Sequence, residues 1–276
     1  MNPADTEPLR SARRQGERVA RSPQFRWFAR AGLVARGVVY GVIGLLALKL
    51  ALGDGGKATN QQGALKEIAG QSFGKALLVL VAAGLAGYAV WRLVRAAIGY
   101  GPEQSQDTKD RLADLASGIA YAVLCLTAIK ILTGQQTGSG TPKQATGGVL
   151  GWTGGPVLVV LAGVVLLGVA VYQAHKGLTR GFLEDSKTER MSREVRRAFT
   201  ALGVFGHLAR AVVFALIGYG LIKAAVGYDA NNAVGLDGAL RKLADASYGP
   251  YVLGLVAVGL IGFAAYSVAD ARFRRV

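Results

Sequence analysis

The chain has 276 residues, 51% of them hydrophobic and 39 of them glycine, with a formal net charge of +15. A lone cysteine, Cys125, excludes a disulfide framework within the chain, and two histidines argue against a His-rich metal site. No C-x-x-C, H-E-x-x-H or Gly-rich phosphate loop ending in Lys-Ser/Thr occurs, so the obvious metal, redox and nucleotide chemistries lack their signatures.

Charge and apolarity are segregated along the chain. A basic tail, residues 1–27, is followed by six long apolar runs near 31–52, 76–98, 112–133, 156–176, 205–226 and 250–270. Each run holds about 20 residues, enough at about 1.5 Å per residue to cross a hydrocarbon core of about 30 Å. The expected fold is therefore all-α, a polytopic membrane protein with six transmembrane helices. Nucleic acid, the usual reading of such a charge in a soluble protein, is not expected as a partner, and no cofactor or metal is implied.

If both termini face the cytoplasm, Arg and Lys divide unequally. The tail to residue 30 carries seven, 92–111 four, 173–204 seven and the chain end three, against three, one and two in the loops 53–75, 134–155 and 227–249. The positive-inside rule then predicts cytoplasmic N and C termini. The basic tail would be drawn to anionic headgroups, which makes membrane lipids the expected partner. The first run is not read as a cleaved signal, because its charged leader is long and no A-x-A-like site follows it.

The runs repeat in pairs. Residues 28–100, 109–180 and 202–273 form three two-helix units, with a charged linker at 181–201 between the second and third. Odd runs begin with A-[RS]-x-x-x-[YF], at Arg36/Tyr40, Ser117/Tyr121 and Arg210/Phe214, and a lysine follows thirteen residues on at Lys49, Lys130 and Lys223. Even runs carry GYAVW (87–91), GVAVY (168–172) and GFAAY (262–266), with Arg95, Lys176 and Asp270 four residues after the aromatic. Small residues at Gly37, Gly41 and Gly44, at Gly118, Ala122 and Cys125, and at Ala211, Ala215 and Gly218 mark one face of each odd helix for close packing. The loops GALKEIAGQSFG (63–74) and GALRKLADASYG (238–249) read as short amphipathic helices, and the middle loop as a Gly/Thr-rich variant carrying Trp152. Each unit has an even number of spans, so the three point the same way, predicting a pseudo-threefold bundle.

Lys49, Lys130 and Lys223 are expected to anchor at the far interface by extending their ammonium groups to water or phosphate. Arg36 and Arg210 lie deeper and need partners. Asp270 is the expected partner of Arg210, since both belong to the third unit. Arg36, with no carboxylate at the matching place in its own unit, is expected to look to a neighbouring unit, to Tyr172 or Tyr266, or to an anion. Asp114 and His207 occupy one repeat position and complete the candidate set with Tyr40, Arg95 and Lys176: an anion or lipid site, or an ion-pair network that sets helix register.

These motifs resemble an uncharacterised bacterial membrane-protein family, known as a domain of unknown function, in which a two-helix unit occurs three times. The resemblance runs from about residue 28 to 273, and the middle unit departs most, with Ser117 in place of arginine. It implies a bacterial inner or plasma membrane location and no established activity, so no catalytic residue is carried across. The expected function is a non-enzymatic integral membrane protein binding anionic lipid or a small anion on the cytoplasmic side. A small-solute or ion transporter or channel built from three two-helix repeats is the alternative.

Overall fold

The computed structural model describes residues 23–98, 108–135 and 142–274, so most of the basic tail lies outside the described residues. Nine α-helices are present among them: α1 (Pro23–Leu52), α2 (Gln61–Ala69), α3 (Gly74–Ile98), α4 (Thr108–Leu132), α5 (Pro142–Leu150), α6 (Gly155–Leu178), α7 (Arg193–Val226), α8 (Leu236–Ala244) and α9 (Gly249–Phe273). Six of them, α1, α3, α4, α6, α7 and α9, are long and apolar enough to cross a bilayer, and they coincide with the six apolar runs. Helix α7, at 34 residues, is about 51 Å long and overshoots a core of about 30 Å.

The spanning helices pack in the order α4, α3, α1, α9, α7, α6. This is a six-helix ring with its sequence neighbours adjacent, closed where the last helix meets the first, and with one interface missing. Among the described residues no packed interface joins α4 to α6, the two helices of the middle unit. The glycines show why the other interfaces form. A Cβ on Gly84 would lie 2.8 Å from the Ala31 carbonyl oxygen, and one on Gly206 would lie 2.7 Å from Phe263 Cα. Lipid tails offer helices no hydrophobic drive to associate, so such backbone approach is what holds them together. At the position equivalent to Gly84 and Gly259 the middle unit has Val165, which is 64% exposed. On α4, Ala113 and Ala116 are exposed, whereas their counterparts Gly32, Ala35, Gly206 and Ala209 are packed against the partner helix.

The face of Gly37, Gly41 and Gly44 is turned to the preceding unit in the ring, not to its own. A Cβ on Gly37 would fall 2.9 Å from the Ala264 carbonyl oxygen, and one on Gly44 would fall 2.8 Å from Ile261 Cγ1, both on α9. Gly118 likewise meets Leu93 of α3, and Gly218 meets Gly163 and Leu167 of α6. Cys125 packs in the same way, its thiol 3.5 Å from the Ala82 carbonyl oxygen.

All three loops away from the termini are helical, including the middle one. There α5 spans nine residues, as α2 and α8 do, despite its Gly/Thr-rich sequence. Ala64, Leu65 and Ile68 of α2 and Leu236, Ala239, Leu240 and Leu243 of α8 are buried against the bundle, so these helices cap the ring end. Helix α2 touches α1, α3 and the next unit's α4, and α8 touches α7, α9 and α1. Helix α5 reaches α6 and α7 and has no packed contact with α4. The cap follows the ring's symmetry and is broken at the same place.

Candidate functional site

The polar side chains gather at the end of the ring nearer the termini, where each even helix meets the odd helix of the following unit. At the α9–α1 interface, Arg36 is 8% exposed and its Nη2 lies 3.9 Å from Asp270 Oδ2. Arg36 Nε donates to Ser267 Oγ at 3.2 Å, and Nη1 donates to the Tyr88 hydroxyl at 3.2 Å. Asp270 also accepts from Ser186 Oγ at 3.0 Å and from Arg274 Nη1 at 3.1 Å. The expected pair of Arg210 with Asp270 does not form. Units are joined head to tail around the ring, so an odd helix meets the even helix of the unit before it, and Asp270 reaches Arg36. The counterpart of Asp270 on the helix beside Arg210 is Lys176.

At the α3–α4 interface the charges are exchanged. Asp114, buried on α4, is bonded by Arg92, and its Oδ2 accepts from Arg95 Nε at 3.0 Å. Arg92 also donates to the Tyr88 hydroxyl, at 2.9 and 3.2 Å, so Tyr88 links the α9–α1 network to the α3–α4 network. Trp91 lies beneath the guanidinium groups of Arg92, Arg95 and Arg274, 5.0–5.9 Å from its ring.

The α6–α7 interface has no carboxylate from its spanning helices. Lys176 is neutralised from the linker, its Nζ 2.9 Å from Asp185 Oδ2. Arg210 lies over the rings of Phe263, Phe214 and Tyr40, at 4.4, 5.4 and 5.5 Å. With its amide oxygen turned toward the guanidinium, the orientation that avoids facing donor with donor, Gln173 accepts from Arg210 at 2.9 and 3.1 Å. No carboxylate among the described residues lies within ion-pair reach of Arg210. Its contacts come from α1, α6 and α9 at once, so the guanidinium sits inside the ring.

Four positions, two on each even helix and two on the odd helix it meets, thus recur in three chemical forms: Ser267 and Asp270 with Leu33 and Arg36; Arg92 and Arg95 with Asp114 and Ser117; Gln173 and Lys176 with His207 and Arg210. His207 donates from Nδ1 to the Gly203 carbonyl at 2.7 Å and stacks on Phe182, 5.0 Å between rings. It belongs to an aromatic cluster with Phe263 and Tyr266. Asp114, His207 and Asp270 occupy three different interfaces and do not converge on a proton path. Tyr40 packs edge-on to Phe263. Tyr172 faces outward beneath Lys176 and takes no part in holding Arg36. Lys49, Lys130 and Lys223 are exposed in the last turns of α1, α4 and α7.

Several residues of this network carry no motif of their own. Arg92, Gln173 and Ser267 all follow directly after the repeated aromatic and are polar in every unit, which is a readable signal. The linker gives none: Phe182, Asp185 and Ser186 are buried in a segment whose composition is that of a solvated connection. It tucks under the ring because Lys187 donates its backbone N–H to the Phe273 carbonyl at 2.7 Å and Ser186 bridges to Arg274.

Six apolar helices in a ring of three two-helix units, with a charged network between units, define a multi-pass helical membrane protein. The chain belongs to the family described as Domain of Unknown Function (DUF1206), whose model matches it at residues 31–99, 114–180 and 205–274. It is also similar to a Bacillus subtilis (strain 168) protein titled "Uncharacterized protein YxxB", 30% identical over 249 residues, which span 89% of this chain and 90% of that protein. No solved structure matches it.

Proposed function

We propose that the protein is a non-enzymatic membrane protein of the bacterial cell membrane that binds a phosphate-type oxyanion at Arg210, either a lipid headgroup or a free ion. One observation carries this reading: two arginines at the same repeat position are treated differently. Arg36 is matched by Asp270, whereas Arg210 has rings and an amide but no acid. A cation left unmatched within a bilayer-spanning segment costs roughly 2.5 kcal/mol or more, and a bound anion would remove that cost. Guanidinium suits the task, since its planar fork matches phosphate oxygens while its faces stack on aromatic rings. Around it, Arg36, Arg92, Arg95, Arg274 and Lys176 are drawn together by Asp114, Asp185 and Asp270, none of which pairs with Arg210.

The test compares wild type with Arg210→Gln after extraction in mild detergent. Native mass spectra should show an anionic phospholipid retained by wild type, or inorganic phosphate should raise its melting temperature. The variant should lose whichever effect is present. An Arg210→Gln protein with the wild-type lipid load and the wild-type phosphate response would end this reading.

A further inference from the structure

The missing interface between α4 and α6 has a counterpart in the unmatched arginine. Gly87 and Gly262, at one repeat position, meet Phe28 and Leu202 on the odd helix of their own unit. Gly168, at the same position of the middle unit, meets nothing within 4 Å. Around it, Val164 and Val165 of α6 and Ile119 and Val123 of α4 are exposed on faces that are apolar throughout. The result is a cleft in the ring wall at the depth of the hydrocarbon core. Arg210 lies inside the wall, bonded to Gln173, which is five residues along α6 from Gly168 and on the buried side of that helix. Tyr121 of α4 packs edge-on to Tyr88, 4.6 Å between rings.

The ends of the ring are occupied except beside the open wall, where the cap is broken too. At the end nearer the termini, Phe182 fills the space under α7, wedged against Gly203 and stacked on His207, and Asp185 and Ser186 are tied to Lys176, Arg274 and Asp270. At the other end, α2 and α8 turn their apolar faces onto the helices. A hydrated ion would have to cross one of these or the apolar cleft, and unpaired charge at hydrocarbon depth is costly.

We propose that the cleft between α4 and α6 is a lateral entrance for an anionic phospholipid. Its acyl chains lie against Gly168 and Val165, and its headgroup phosphate rests on Arg210. This rests on the oxyanion reading of Arg210 and narrows it to a lipid that arrives from within the leaflet. The middle unit is the one that lacks both the odd-helix arginine (Ser117) and the small residue at 165. Its helices are held to their outer neighbours by Asp114 and Gln173 and not to one another.

Three variants separate the outcomes. Gly168→Trp fills the cleft without meeting any neighbour, so it should fold. Leu80→Trp adds the same bulk at an exposed position of α3, away from the cleft. Arg210→Gln removes the anchor. Native mass spectra of each, purified from membranes and again after incubation with phosphatidylglycerol, should show the anionic lipid adduct lost in Gly168→Trp and Arg210→Gln and kept in Leu80→Trp. If Gly168→Trp keeps the adduct that Arg210→Gln loses, the site stands and the lateral entrance is wrong. If no variant changes the adduct, but inorganic phosphate stabilises wild type and not Arg210→Gln, the ligand is a free ion and the lipid proposal is overturned. If Arg210→Gln changes neither lipid nor phosphate response, both proposals fall together.

Discussion

Arg36 on the first spanning helix and Asp270 on the last stand 3.9 Å apart and join the first unit to the third. Asp270 is fully buried and also bonded to Arg274 and Ser186, so it neutralises the α9–α1 interface and holds the linker against it. Removing one member of a pair in low dielectric leaves the other uncompensated, typically at a cost of about 3–5 kcal/mol. Asp270→Asn should therefore lower the melting temperature in detergent strongly, and adding Arg36→Gln should recover part of the loss. A double variant no more stable than Asp270→Asn alone would show that the pair is not what the carboxylate serves.

Arg210 should behave in the opposite way to its repeat mate. With no carboxylate to orphan, Arg210→Gln in delipidated protein should leave the melting temperature unchanged or raise it, whereas Arg36→Gln should lower it by an amount corresponding to about 1–3 kcal/mol for the polar partners left unpaired. Equal losses from the two substitutions would mean that Arg210 is as fully compensated as Arg36.

The contrast between the arginines shows what could be read from the sequence. Thirteen-residue spacings and the GxAx-aromatic register set the helix count, the boundaries and the depth at which each polar residue lies, because those depend on rise per residue and on apolar length alone. Which helices are neighbours does not follow from spacing. Asp270 and Arg210 share a unit and a depth, and only the close approach of α1 to α9 through Gly37 and Gly44 shows that Asp270 belongs to Arg36 instead. The open α4–α6 interface had a faint trace in Val165, a bulky residue within a span where the other units have glycine. The buried linker had none, because Asp185 and Ser186 are held by partners distant in sequence.

Three of the four glycines of α1, Gly37, Gly41 and Gly44, share one face and differ in what they meet. A Cβ on Gly37 would press on Val268 Cγ2 at 2.8 Å and the Ala264 carbonyl at 2.9 Å, and one on Gly44 on Ile261 at 2.8 Å, whereas one on Gly41 would rest in ordinary contact with Ala264 Cβ at 3.6 Å. Overpacking of this kind costs typically about 1–3 kcal/mol. Gly37→Ala and Gly44→Ala should lower the melting temperature, and Gly41→Ala should not. Three equal shifts would remove the argument that α9 sets the approach distance.

Phe182 tests the linker. Its side chain is fully buried, 5.0 Å from the His207 ring and 5.3 Å from that of Tyr266, and its edge fills the notch at Gly203. Truncating a buried phenylalanine costs about 3–5 kcal/mol where the site cannot collapse. Phe182→Ala should free the segment between α6 and α7, and limited proteolysis should then cut near Arg180 or Lys187 much faster than in wild type. Unchanged cleavage would mean that Ser186 and Asp185 hold the linker without it.

Orientation is the last prediction, and it rests on charge alone. Of the Arg and Lys outside the spans, those in 92–111, 173–204 and the two termini greatly outnumber those in the three capped loops. Loop cations near helix ends are retained on the cytoplasmic side during insertion, so the termini and the Phe182 linker should be cytoplasmic and α2, α5 and α8 outside. In a Cys125→Ala background, Ser72→Cys lies exposed beyond α2 and Glu189→Cys lies exposed in the linker. A membrane-impermeant maleimide added to intact cells should label the first and spare the second until the cells are opened. Labelling of Glu189→Cys in intact cells, with Ser72→Cys protected, would invert the protein in the membrane. The Arg210 site would then face the outer leaflet, and the pool of anionic lipid available to it would be the other one.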